Sequence, residues 1–210
     1  LTSLAMKQFF ESIGGTARLV DVFLAAEIAI IAAIAAAYGI SAADRLRAEE
    51  VDGHAEPVLA TRATRLRWAW SHYGIALVGS GVLMLLAGLS IGIGASAALG
   101  DWSQLGRIVL AALAQLPAVW VVTSLVLLAF GWAPRLTVAV WGLLAAFVVV
   151  GEFGPLWHLP EWVMDLSPLR HAPTLPVSSD GLLPVLLLLA AAVVISALGL
   201  LGWRRRDLVG

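Results

Sequence analysis

Apolar residues do not alternate along this chain with either a helical or a strand period. They come in long unbroken blocks separated by short polar breaks. A helix that crosses a bilayer needs about 20 mainly apolar residues. Five blocks fit that description or come close: residues 19–40, 73–95, 108–130, 136–150 and 182–203. The fourth is short and needs its flanks or little tilt to cross. The fifth has a marked start, with Ser179 and Asp180 as capping residues and Pro184 in the first turn. The expected fold class is an all-α integral membrane protein, a polytopic helical bundle of about five transmembrane helices. The transmembrane domain covers 19–203, with an N-terminal segment 1–18, a polar loop 41–72, a second loop 151–181 and a tail 204–210.

Composition strengthens this reading. The chain of 210 residues is 60% hydrophobic and 13% charged, about half the charged fraction of soluble domains. A soluble core cannot hide that much apolar surface, so lipid is the solvent for most of it. Cysteine is absent, which excludes disulfides, zinc–thiolate sites and thiol catalysis.

The distribution of basic residues sets a direction. An odd number of spans puts the two ends on opposite sides. Placing the tail Arg204, Arg205 and Arg206 in the cytoplasm also places Arg45, Arg47, Arg62, Arg65, Arg67 and Arg135 there. That is nine basic residues against four on the other side, Lys7, Arg18, Arg107 and Arg170, as the positive-inside rule requires. Trp102, Trp132, Trp157, Trp162 and Trp203 fall near span ends, where indoles settle. The N-terminus of the chain is then outside the cytoplasmic membrane of a bacterium. Leu1 is not an initiator Met and no signal peptide opens the chain, so a further span upstream is expected.

The densest polar break is Arg45 to Trp70, "RLRAEEVDGHAEPVLATRATRLRWAW". Residues 41–50 continue the first helix, Gly53 stops it, and Pro57 suits the first turn of a short crosswise helix. Thr61 or Thr64 can cap the helix that returns to the membrane. A plain connecting hairpin needs only a few residues. A long loop of alternating acid and base with the small apolar ridge Val58 and Leu59 suits a docking surface for a cytoplasmic partner.

These residues carry a family resemblance. "RLRAEEVDGHAEPVLAT" followed by "RWAWSHYG" resembles the permease subunits of ABC-2 type (type V) exporters, in particular an actinobacterial, tetronasin-like group that exports polyketide antibiotics. The resemblance continues through "GDW", "LAQLPAVWV", "VGEFGPLWHLPEWVMDLSPLRHAP" and "RRRD". It implies that loop 41–72 bears a coupling helix seated in a cleft of an ABC ATP-binding subunit, through Glu49, Glu50, Gly53, Glu56, Pro57 and Leu59. It implies an external gate in 151–181, at Glu152, Pro160 and Trp162. ATP and magnesium would be held by the partner and no cofactor by this chain. Such permeases have six spans per half and many fuse two halves. The spans here resemble the second to sixth of one half, so a second half or an upstream part is an expected partner.

Polar residues inside the spans are the candidates for a pathway. Asp21 can pair with Arg18 one turn earlier. Glu27 lies deeper, and an intramembrane acid faces the bundle interior or a watery cavity. It is read either as a pathway contact or as a carboxyl satisfied by a neighbouring helix. Gln115 and Pro117 sit within the third span, where a proline frees a carbonyl and bends the helix. Gly88 and Gly92 form a GxxxG suited to close helix packing.

Residues 152–176 hold Pro155, Pro160, Pro168, Pro173 and Pro176 among apolar side chains. That composition suits an interfacial or re-entrant segment. His158, Glu161, Asp165 and His171 match no metal-binding spacing, and no phosphate-binding loop or GxSxG elbow occurs. Export of a hydrophobic or amphipathic compound is the leading reading. Two others stay open: a membrane enzyme acting on lipid or glycan through 152–176, and an accessory subunit of a transporter.

Overall fold

A computed structural model describes residues 15–51, 65–154, 156–173 and 182–205. Helix α1 spans Gly15–Val51 and α2 spans Arg65–Leu99. A tight turn leads to α3, Ser103–Ala114, and a break at Gln115 leads to α4, Leu116–Trp132. A 3-10 turn at Pro134–Leu136 precedes α5, Ala139–Phe153. The short α6, Glu161–Met164, and a 3-10 turn at Pro168–His171 follow, and α7 closes at Leu183–Arg205. Among the described residues there is no strand.

The molecule is a polytopic helical membrane protein. Four stretches are long and apolar enough to cross a bilayer: Val20–Glu50, Arg67–Leu99, Ser103–Trp132 and Leu183–Arg205. Helix α5 is apolar but shorter, and its 15 residues rise only ~22 Å against a hydrocarbon core of about 30 Å. Helix α1, at 37 residues, reaches ~55 Å and outruns that core.

Helix α4 is the centre. Its side chains are apolar all round except for Thr123 and Ser124, whose hydroxyls donate to the Val119 and Val121 carbonyls of the same helix, and such a helix is buried on most sides. Val119, Val122, Val126, Leu127 and Phe130 are fully buried between α1, α2 and α7. The outer helices are apolar on both faces too, so polarity cannot select which face turns inward. Size does. On α1 the inward positions are Ile28, Ala32, Ala35, Ala36, Ile40 and Ala43, while Phe23, Ile30 and Ile34 face out. Small residues let backbones approach, which is what drives helix association in lipid. The GxxxG of α2 follows the same rule. A Cβ at Gly88 would crowd Ala112 and Val109 of α3, and one at Gly92 would crowd Leu105.

One end of the bundle is closed by aromatic rings. Trp203 lies 4.8 Å from Phe130 and 5.8 Å from Trp68, centroid to centroid. Trp203 is fully buried there, unlike the interfacial position its place at a span end suggests. Trp102, Trp132, Trp157 and Trp162 are exposed.

Candidate functional site

Three pieces of chain meet at the arginine-rich end: the end of α1, the start of α2 and the α4–α5 connection. Glu49 Oε1 lies 3.0 Å from His72 Nε2. The other ring nitrogen of His72 is 3.2 Å from the Trp68 carbonyl oxygen. Arg47 donates to Thr137 Oγ1 at 3.3 Å, and that hydroxyl donates to the Pro134 carbonyl at 3.1 Å. One carboxylate oxygen of Asp44 is buried without a hydrogen-bond partner. Tyr38, Ser41, Arg45, Glu49 and His72 line a polar hollow of about 740 Å³ at this edge. Of the residues the resemblance assigns to coupling, Glu49 and Glu50 lie in the last turns of α1. Gly53, Glu56, Pro57 and Leu59, with Thr61 and Thr64, lie outside the described residues.

The opposite end is pinned by a fork. Arg107 of α3 holds both carboxylate oxygens of Asp21, at 2.7 and 3.3 Å. Asp21 thus takes a partner 86 positions away; the side chain of Arg18, one turn back, lies outside the described residues. Asp101 starts α3 by accepting from the Ser103 backbone N–H at 3.0 Å and from the Gln104 side chain at 2.7 Å. These bonds, Gln104 first and then Ser103, hold the Asp101 carboxyl below the usual carboxylate range.

A wedge of chain fills this end. The turn Pro168–His171 folds back against α4 and α5. Ser167 Oγ donates to the Phe147 carbonyl of α5 at 3.2 Å. Gln115, buried, donates its amide to the Pro173 carbonyl at 3.2 Å. The local sequence explains why that amide is there. Pro117 has no N–H to offer Leu113, so the α3–α4 rod breaks at Gln115. The backbone carbonyl of Gln115 starts α4 by accepting from Ala118 and Val119.

Two cavities flank the wedge. The one toward α1, about 460 Å³, is lined by Ala33, Ala37, Gln115, Phe147, Glu152 and Arg170 among others. The one toward α7, about 500 Å³, is lined by Val121, Leu125, Leu166, Pro168 and Leu187 among others. Gln115 and Glu152 therefore share a cavity. Glu27 is half-buried elsewhere, in a hollow of about 560 Å³ with Leu24, Ser90 and Ile91 between α1 and α2. Pro117 is buried in α4 and lines neither flanking cavity. Pro160 and Trp162 are exposed and line neither cavity. The residues that do the wedging, Leu169, Arg170 and Pro173, lie further along the chain than Glu152, Pro160 and Trp162. Their signal was the "SPLRHAP" run, whose two prolines bracket the turn.

The family profile described as "Multidrug efflux system permease Rv1217c, C-terminal domain" matches residues 2–204. The chain belongs to this family. The multidrug efflux system permease protein Rv1217c of Mycobacterium tuberculosis (strain ATCC 25618 / H37Rv) is 35% identical over 204 residues, 97% of this chain. The chain spans 37% of the length of that relative. Both ends of the bundle, the wedge and the α1–α2 stems fall within the part that matches the Rv1217c C-terminal domain family.

Proposed function

We propose that the chain is transmembrane machinery of an ATP-driven exporter that moves a hydrophobic or amphipathic, drug-like compound out across a bacterial cytoplasmic membrane. The observation that carries this reading is its similarity, over nearly its whole length, to a permease of a multidrug efflux system. The arginine-rich end is read as the cytoplasmic one, because the sequence topology assigns nine of the thirteen basic residues to it. The finer placement, in the tetronasin-like group of polyketide-antibiotic exporters, rests on the sequence resemblance.

In this reading an ATP-binding partner subunit supplies the hydrolysis and holds ATP and magnesium. Its cleft grips the loop after Glu49 and Glu50, through Gly53, Glu56, Pro57 and Leu59. Helix α1 is continuous from the spans to Val51, so a push on the loop is carried along it. The Glu49–His72 and Arg47–Thr137 bonds carry it to α2 and to the α4–α5 connection. Motion of that kind is a shift between two packings, each with its own contacts. The cavities beside the wedge, with Gln115 and Glu152 on one of them, form the outward path, and Glu27 contributes from its own hollow. Glu152, Pro160 and Trp162 belong to the external gate, which the wedge anchors.

Reversing the charges of Glu49, Glu50 and Glu56 together tests the reading. The expected result is loss of co-purification with an ATP-binding subunit and loss of drug efflux, with normal membrane insertion. Retention of both the complex and the efflux refutes it.

A further inference from the structure

The polar hollow of about 740 Å³ between the end of α1 and the start of α2 carries an imbalance of charge. Its charged lining is Arg45, Glu49 and His72. Arg45 and Glu49 stand at i and i+4 on α1, a spacing at which opposite charges pair on a helix. They do not pair here. Glu49 turns to His72 of α2 instead, at 3.0 Å. The exposed Arg45 guanidinium has no hydrogen bond or ion pair among the described residues. Ser41, one turn before Arg45 and also exposed, has no hydrogen bond among them either. The hollow therefore offers one open cation with its fork of N–H donors and an adjoining hydroxyl. On the acceptor side it offers those hydroxyl oxygens and the second oxygen of Glu49, whose charge His72 already answers. An anion with several acceptor oxygens is the complement of that set.

Depth selects the kind of anion. The Asp21–Arg107 fork marks the opposite edge of the bundle. From Asp21 to Ser41 the chain rises ~30 Å along α1, the thickness of a hydrocarbon core of about 30 Å. Arg45 lies ~6 Å further on, at the level of lipid headgroups. Val51, after which the polar loop begins, lies ~9 Å beyond Arg45. Toward the bilayer the same face turns apolar. Ile34, one turn before Tyr38 on α1, and Ile75 and Val78 on α2 are all exposed. The Tyr38 ring lies over Gly79 of α2, where a Cβ would strike it, and so spans the two helices at the apolar side of the hollow. One open cation thus stands at headgroup depth, directly above an exposed hydrocarbon stripe.

We infer that this hollow binds the phosphate of an anionic phospholipid from the leaflet at the arginine-rich end. The phosphate oxygens accept from Arg45 and Ser41, and an acyl chain lies along Ile34, Ile75 and Val78. A soluble phosphate would use the donors and leave the stripe bare. A neutral or cationic ligand would leave Arg45 unanswered. An acidic segment of a cytoplasmic partner would meet the chain further out, beyond Val51. Lipid alone supplies both the charge and the hydrocarbon at this depth. Binding is read on the chain by itself, without ATP or transport, so the inference stands or falls separately from the export reading.

The test titrates the full chain, purified in mild detergent, with phosphatidylglycerol or phosphatidylethanolamine and counts the lipids retained by native mass spectrometry. Phosphatidylglycerol is expected to bind about five-fold more tightly, the worth of one basic residue toward a net negative lipid. Arg45→Gln should weaken it about ten-fold, as the loss of a charge-assisted bond does, and erase the preference. Ser41→Ala should weaken it about two- to ten-fold. Arg135→Gln, at an exposed arginine of the same end that also has no partner among the described residues, should change neither. Glycerol phosphate, which has the charge without the acyl chains, should not displace the lipid. Equal affinity of the two lipids for the unaltered chain overturns the inference, and needs no variant to fold. So does an equal loss in Arg45→Gln and Arg135→Gln, the pattern of a general attraction to a basic surface. Displacement by glycerol phosphate overturns it as well, because the hollow would then be a site for soluble anions.

Discussion

Gly131 and Gly199 meet backbone to backbone where α4 crosses α7: a methyl group at Gly131 would overlap the carbonyl oxygen of Gly199. A Cβ at Gly199 would in turn run into the backbone of Leu127 and Leu128. The Trp132 indole locks the same crossing by donating to the Leu198 carbonyl at 2.9 Å. In lipid, where burying apolar surface gives no driving force between helices, such close contact is what holds α7 to the core.

Gly131→Ala and Gly199→Ala are therefore expected to destabilise the bundle by about 1–3 kcal/mol each, as overpacking does. Gly142→Ala and Gly81→Ala, where nothing lies within 4 Å, should be neutral or slightly stabilising, since alanine is the better helix former. Heating detergent-solubilised protein and measuring the monodisperse fraction by size-exclusion chromatography distinguishes the two pairs. Equal losses for all four would mean that α7 is not held by this contact.

The wedge predicts an effect of Gln115. Its amide is tied to the Pro173 carbonyl, and Ala172 beside it is buried. The chain has no cysteine, so Ala172→Cys gives a clean reporter. Gln115→Leu removes the donor without removing bulk. It should raise the rate at which a maleimide reaches Cys at 172 by about two- to ten-fold, the worth of one hydrogen bond. An unchanged rate would show that the wedge is held without Gln115.

Much of this architecture is visible in the sequence and some of it is not. The apolar blocks announce the helices because lipid demands length and little else. Pro117 announces the break at Gln115, and Gly88 and Gly92 announce a close neighbour. The inward face of each helix is hidden, because Phe23 and Ile28 are equally apolar and only the row Ala32, Ala36, Ala43 marks the packed side. Partners distant in the chain are hidden as well. Nothing local in sequence links Asp21 to Arg107, Gln115 to Pro173 or Tyr73 to Ser196, and these contacts define both ends of the bundle.

Acid should loosen the start of α3. The Asp101 carboxyl is held below the usual range in the folded chain. A group shifted that way adds stability above its unfolded pKa and loses it as pH falls through the folded value. Amide exchange at Ser103 and Gln104 should therefore quicken, relative to the intrinsic rate, as pH drops below about 4, the ordinary carboxylate range. Asp101→Asn should flatten that dependence. A profile that is the same in both proteins would assign the ordering of this turn to something other than the carboxylate.

The Asp21–Arg107 fork should contribute little to global stability, despite its bidentate geometry. Arg107 is 43% exposed and Asp21 22%, and exposed ion pairs are worth about 0–1 kcal/mol. Its effect should be geometric, because it sets where α3 meets α1 at the far end of the bundle. The swap Asp21→Arg with Arg107→Asp keeps the attraction, whereas either change alone places like charges face to face. Cross-linking between cysteines placed at Val22 and Leu110, both exposed on these two helices, reports the spacing. Each single change should lower the cross-linked yield and the double swap should restore it, while thermal stability moves by no more than about 1 kcal/mol throughout. Restoration separates a steering role for the pair from a bulk contribution to folding, because only the former depends on the sign of both charges together.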